Sequence, residues 1–201
     1  MIKNIVFDVG NVLVAWDPGK ALHDLGIDGD VMKAVLDATV RSDVWNESDR
    51  STLSDEELLS RMIGNALQYE REIRLLWDHV QLAIWQFDYS RPWIGRLKKN
   101  GYHVYILSNY SKYAYEKTID ALSFLEDVDG ALFSYEVHQI KPEPEIYQSL
   151  LQKFHLNAAE CIFLDDRKEN VEAAKQQGIS GIQFHTYEQA VSELQEYGVN
   201  A

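Results

Sequence analysis

Cysteine is almost absent from this chain of 201 residues. The single Cys161 excludes an intramolecular disulfide and is too few for a thiolate zinc cluster. Both facts fit a reducing compartment, so a cytoplasmic location is expected. Basic residues are also scarce: 19 Lys and Arg stand against 32 Asp and Glu, for a formal net charge of −13. Phosphate backbones demand basic patches, so this balance argues against a nucleic-acid partner. Long apolar runs are missing as well, and no stretch is suited to spanning a bilayer. The opening MIKNIVFDVGNVLV is broken by Asp8, Gly10 and Asn11, which excludes a signal peptide there. No membrane partner is expected. Proline occurs only 4 times, and there is no Pro/Gly/Ser-rich linker, internal repeat or low-complexity tract.

What is present is an ordinary globular composition, 46% hydrophobic and 25% charged, in a chain long enough to bury a substantial core. Asn4–Val9 is a short apolar run ending in polar residues and reads as a buried strand. From about Asp17 to Asn100 the pattern is helical. Ser54 and Glu57 form a capping-box signature, and Ile73, Leu76, Trp77, Val80 and Ile84 fall near one helical face. After Gly101 strands and helices alternate. The strands are His103–Ser108, Gly130–Ser134, Cys161–Leu164 and Gly181–Phe184, with helices expected at Lys112–Leu122, Glu143–Phe154, Lys168–Gln177 and Tyr187–Glu196. Such alternation predicts an α/β fold, a parallel Rossmann-like sheet of five strands covered on both faces. The first two strands are separated by far more chain than a crossover needs. Residues 17–88 are therefore expected to form an inserted helical cap, with 1–16 and 89–201 making the core.

Parallel sheets bind ligands beyond the carboxyl ends of their strands, and the chemistry-bearing residues sit there. Asp8 ends the first strand; Asp165 and Asp166 end the fourth. A lone Asp at such a place is usually a turn or cap residue. Two carboxylate-bearing ends of one parallel sheet, however, must share an edge. Three carboxylates together repel one another unless one holds a proton or a cation intervenes. Oxygen-only ligands suit a hard divalent cation, Mg²⁺. Lys141 adds positive charge ahead of a helix that Pro142 delays. Ser108 and Asn109 end the second strand, where they serve as a turn or helix cap or as donors to phosphate oxygens.

The segments FDVGNVLV, ILSN, KPEPEIY and FLDDRKEN fall in the order and strand-end contexts of the four motifs of the haloacid dehalogenase-like superfamily, which the chain resembles over nearly its whole length. The likeness is greatest to the branch of small sugar-phosphate phosphatases that includes alpha-D-glucose-1-phosphate phosphatase. The stretch Trp45–Glu57 resembles that branch's helical cap. The resemblance implies strand order five-four-one-two-three and a magnesium-dependent phosphatase acting on a small phosphorylated metabolite, such as glucose 1-phosphate. It makes Asp8 the nucleophile that becomes an aspartyl phosphate. Mg²⁺ would be held by Asp8, the Gly10 carbonyl and Asp166, with Asp165 a second ligand or acting through water. Ser108, Asn109 and Lys141 would hold the phosphoryl group, and Asn170 would take a supporting polar position. A monomer or weak homodimer is expected.

One position departs from the commoner motif. Two residues after the nucleophile, relatives carry a second Asp that protonates the leaving oxygen and activates water; here it is Gly10. Asp17 and His23 are replacements by proximity alone, and each reads better as a cap or surface residue. A metal-independent 2-haloacid dehalogenase also lacks that second Asp, but Asp165-Asp166 argues against it. A catalytically silent binding protein on the same fold draws support only from Gly10. Trp77, Trp85 and Trp93 lie in helical patterns and read as packing residues; Trp45, in the cap segment, faces either the substrate or the core, and packing is the better reading. No pair among the six histidines has metal-binding helical spacing. Cys161 lies in an apolar strand and reads as a buried thiol.

Overall fold

The computed structural model describes residues 1–201. The chain opens with β1 (Asn4–Phe7), all four residues buried, and β2 (Val14–Trp16). Five helices follow: α1 (Pro18–Asp24), α2 (Gly29–Ala38), α3 (Asp43–Arg50), α4 (Asp55–Asn65) and α5 (Glu70–Asp78). The chain returns through β3 (Ile84–Gln86) and α6 (Ser90–Lys99). The alternating half then runs β4 (His103–Ser108), α7 (Lys112–Thr118), β5 (Gly130–Phe133), a single turn α8 (Ser134–Val137), α9 (Pro144–Lys153), β6 (Cys161–Asp165), α10 (Lys168–Gln176), β7 (Ser180–Gln183) and α11 (Tyr187–Glu196).

Five of these strands form one sheet in the order β5-β4-β1-β6-β7, the order the resemblance implies, with every pairing parallel as the alternation predicts. Alternation along β1 divides the core. Ile5 and Phe7 join a cluster with Trp93, Ile94 and Leu97 of α6, whereas Val6 faces Ile146, Tyr147 and Leu150 of α9. Both sheet faces are thus covered, which a purely parallel sheet requires. Phe7 meets the fully buried Trp93 edge-on, with centroids 4.7 Å apart. Gly181 is needed where α10 crosses β7, since a Cβ there would lie 2.8 Å from Val171 Cγ1. Pro144 opens α9 with Glu143 at its cap, so the helix begins two residues beyond Pro142.

The helices between β2 and β3 build a second apolar cluster of their own, centred on Leu22, Val35, Leu58, Met62 and Ile73. The capping box of Ser54 and Glu57 is present at the start of α4. Two expectations need correction here. The stretch Asp17–Asn100, read as helical with few strand-like runs, contains β3, which pairs antiparallel with β2 just ahead of the stretch, Ala15 opposite Trp85, as a two-stranded ribbon between the sheet and the helices. Trp85 therefore lies on a strand and is 40% exposed, whereas Trp77 and Trp93 are buried packing residues. Three-residue strands are too short for a period-2 pattern to emerge. No helix is long and apolar enough to cross a membrane.

Candidate active site

The carboxyl edge of the sheet collects the chemistry. Asp8 directly follows β1, and its backbone N–H donates to the Leu164 carbonyl at 2.9 Å. The register therefore sets Asp8 beside the Asp165-Asp166 end of β6. Ligand oxygens of Asp8, Asp165 and Asp166 all lie within 4.8 Å of one another. Lys141 enters from the loop before α9 and is buried. Its Nζ lies 2.7 Å from Asp8 Oδ1 and 2.7 Å from Asp165 Oδ2, and donates to the Leu107 carbonyl at 3.1 Å. Asp8 Oδ1 meets this ammonium and no other donor.

The electrostatics follow from burial and from this grouping. Burial lifts the Asp8 carboxyl to about 6; Lys141 opposes the rise, and Asp165 and Asp166 add to it. Burial also raises Asp166, against the hydrogen bond from Asn11 Nδ2 at 3.1 Å. For Lys141 burial acts downward, yet Asp165 and Asp8 outweigh it and the ammonium is held above its ordinary value. One lysine faces three carboxylates, leaving net negative charge in a poorly solvated place. A hard cation with oxygen ligands relieves such a site. Asp8, which meets no donor but Lys141 at Oδ1, and Asp166 half-buried beside it fit Mg²⁺.

Asp165 and Asn109 are also tied to their neighbours in the protein. Asp165 is fully buried, and both its oxygens are taken: Oδ2 by Lys141, Oδ1 by the Arg167 N–H at 2.8 Å, and each by Asn170 Nδ2 at 3.0 Å. It thus holds Lys141 and Asn170 in place, which leaves Asp8 and Asp166 the carboxylates with fewer protein partners. Asn170 sits in that supporting position, its carbonyl accepting from Tyr147 Oη at 2.8 Å. The Asn109 side chain pairs with the backbone of Lys141, Nδ2 donating to its carbonyl at 3.0 Å and Oδ1 accepting from its N–H at 2.8 Å. It fixes the lysine loop to the end of β4. Ser108 is buried and lines the same cavity as Asp8, Gly10, Lys141 and Asp166.

That cavity has a volume of about 260 Å³. Its far wall comes from the ribbon and the helical insertion. Trp16 on β2 and Trp45 on α3 stack there with centroids 5.5 Å apart. Asp49, one helical turn after Trp45 and on the same face of α3, also lines the cavity. Burial raises its carboxyl to about 7, with Lys141 opposing and Asp8 adding to the rise. Asp49 was missed in the sequence, where it is one more acid in the polar run Asn46-Glu47-Ser48-Asp49-Arg50. Only its i,i+4 spacing from Trp45 signals a shared face. Asp17 caps α1 by accepting from the Lys20 N–H at 2.8 Å, and His23 is exposed and paired with Asp28, so both are the cap and surface residues they were read as.

The family model for haloacid dehalogenase-like hydrolases matches residues 2–178. The chain belongs to this family. Among its relatives, it is 31% identical over 200 residues to D-ribitol-5-phosphate phosphatase of Bacteroides thetaiotaomicron, covering 91% of this chain and 92% of that one. It is 24% identical to a sesquiterpene phosphatase of Aspergillus oryzae, over 90% of this chain and 88% of that protein. The fold also matches a haloacid dehalogenase family enzyme of B. thetaiotaomicron solved with magnesium and inorganic phosphate. That match has a TM-score of 0.71 at 20% identity, covering 94% and 99% of the two chains.

Proposed function

We propose that this haloacid dehalogenase-like phosphatase hydrolyses a small polyhydroxylated phosphate monoester, a sugar or sugar-alcohol phosphate, through an aspartyl phosphate on Asp8. The observation that carries this reading is the convergence of Asp8, Lys141 and Asp166 on one cavity at the sheet edge. An oxygen of Asp8 attacks phosphorus in line with the ester oxygen, and the bond from phosphorus to that oxygen breaks. Lys141, fixed by Asp165 and Asn109, and the Ser108 hydroxyl receive the phosphoryl oxygens. Water then attacks phosphorus, releasing phosphate and restoring the Asp8 carboxylate. Asp8, Asp166 and the Gly10 carbonyl would hold Mg²⁺, which would supply positive charge beside the transferring group. Preorganised charge of this kind supplies most of the catalysis in phosphoryl transfer.

The substrate class rests on the wall opposite the carboxylates. Stacked Trp16 and Trp45 offer apolar faces to a carbon chain, while Asn46 and Asp49 beside them offer hydrogen bonds to hydroxyls. The similarity to D-ribitol-5-phosphate phosphatase supports an open-chain or ring polyol. Glucose 1-phosphate belongs to this class. Residues 17–88 act as the cap, closing over the substrate and excluding bulk water. A screen of sugar phosphates, sugar-alcohol phosphates, nucleotides and phosphorylated cofactors, with and without Mg²⁺, tests the assignment. Magnesium-dependent release of phosphate from the polyol esters is expected. Metal-independent halide release from 2-haloacids, or no turnover of any ester, would overturn it.

A further inference from the structure

Expulsion of an alcohol from a phosphate monoester leaves an alkoxide that needs a proton, and the second half-reaction needs a base for water. The residues already placed cannot serve. Asp8 is the attacking group. Lys141 is clamped among Asp8, Asp165 and the Leu107 carbonyl. Tyr110 lines the cavity, but its hydroxyl is bound to Thr118 at 2.6 Å and burial lifts it to about 12. No histidine lines the cavity. Gly10 has no side chain, although a Cβ there would meet nothing within 4 Å.

Resting on the phosphatase reading, we infer that Asp49 is the acid–base residue of this enzyme, delivered from the helical insertion rather than from the loop that follows the nucleophile. Asp49 lines the cavity with Asp8 and Lys141. It is 7% exposed, and no protein group donates a hydrogen bond to its carboxylate. It shares a face of α3 with Trp45 and Asn46, the wall that meets the leaving group.

The backbone around Asp49 is fixed to the core at four points. Ser134 Oγ donates to the Asp49 carbonyl at 2.6 Å while accepting from the Tyr110 N–H at 2.8 Å. His138 Nδ1 donates to the Arg50 carbonyl at 2.7 Å, and the Lys112 N–H donates to Ser51 Oγ at 3.1 Å. The Arg50 guanidinium grips Glu143 in the loop that carries Lys141. Catalytic groups need such a fixed geometry. Protonation near neutrality, set by burial against Lys141, suits the task.

The proton balance closes. Protonated Asp49 gives its proton to the ester oxygen as the bond from phosphorus breaks, leaving free alcohol, aspartyl phosphate and an Asp49 carboxylate. That carboxylate takes a proton from water as the water oxygen attacks phosphorus and the bond to Asp8 breaks. Phosphate leaves, with Asp8 ionised and Asp49 protonated again.

The test compares wild type, Asp49→Asn and Asp49→Asn/Gly10→Asp on p-nitrophenyl phosphate and on the best sugar phosphate from the screen. Asparagine keeps the shape and removes the transferable proton. Asp49→Asn should lower kcat on the sugar phosphate by about 10²–10⁴-fold. With p-nitrophenyl phosphate, whose leaving group needs no proton, it should give a stoichiometric burst of p-nitrophenol followed by slow turnover, because the phosphoenzyme now waits for water. Gly10→Asp should restore part of the lost kcat, since position 10 has room for a carboxylate. A merely structural role would slow both substrates alike and give no burst. Equal losses on both substrates without a burst of p-nitrophenol, or sugar-phosphate turnover within about tenfold of wild type, would overturn the inference while leaving the phosphatase reading intact. Wild type inactive on both esters with Mg²⁺ would overturn both.

Discussion

Replacing Lys141 with methionine probes the electrostatic centre of the site. Methionine keeps most of the stem and removes the charge. The lost contacts are two carboxylate oxygens at 2.7 Å and the Leu107 carbonyl at 3.1 Å, around a side chain that is 1% exposed. Removing one partner from a buried charge cluster costs about 3–5 kcal/mol, because the remaining charges lose their compensation. In a protein of this size that lowers Tm by about 6–20 °C. The penalty must also depend on pH. Asp8, already lifted to about 6 with the lysine present, rises further without it. A carboxylate whose folded pKa is raised contributes stability below its unfolded value, and that contribution is lost as pH rises through the folded value. The mutant should therefore lose most near neutral pH and least near pH ~5. Thermal melts of metal-free protein in EDTA across this range measure both effects. A loss under about 1 kcal/mol near neutrality, or the same loss at pH ~5, would refute the reasoning.

Three further outcomes follow from the same geometry. Wild type should gain about 2.7 kcal/mol of stability at a hundredfold excess of Mg²⁺ over its dissociation constant, whereas Asp166→Asn should be at least as stable without metal and gain much less; paired melting curves decide. Metal-free wild type should lose stability as pH rises between the ordinary carboxylate value of 3.8 and the raised values of about 6 for Asp8 and about 7 for Asp49. The slope is up to about 1.4 kcal/mol per pH unit for each group, seen in urea titrations, and Asp49→Asn should flatten its upper end. Trp45→Ala removes one face of the stacked pair and should raise KM for a sugar phosphate by roughly 2–10-fold, with a smaller change for p-nitrophenyl phosphate in parallel assays.

The sheet was legible because its signals are strong and local. Buried runs such as Asn4–Phe7 and Cys161–Asp165 alternate with amphipathic helices, and carboxylates at two parallel strand ends must share an edge. Strand limits moved by a residue or two, as at β6, which takes in Asp165. Three features were hidden. The β2–β3 ribbon uses three-residue strands whose pairing is set by the chain entering and leaving the helical insertion, not by their own pattern. In sequence Asp165 reads as a metal ligand or one acting through water and Asn109 as a phosphate donor; only three dimensions show that the first also pairs with the Lys141 side chain and the second with the Lys141 backbone. Asp49 becomes visible only once α3 is docked, because the C-terminal end of that helix is held through Asp49 and Arg50 by Ser134, His138 and Glu143, 85, 88 and 93 positions further along the chain.

The most direct measurement of the covalent mechanism is acid-quench peptide mass spectrometry of the enzyme during turnover of a sugar phosphate with Mg²⁺. One phosphoryl group is expected on the Asp8 side chain in wild type, with none in Asp8→Asn, which should be folded and inactive. A phosphoryl group on any other residue, or near-normal turnover by Asp8→Asn, would contradict it.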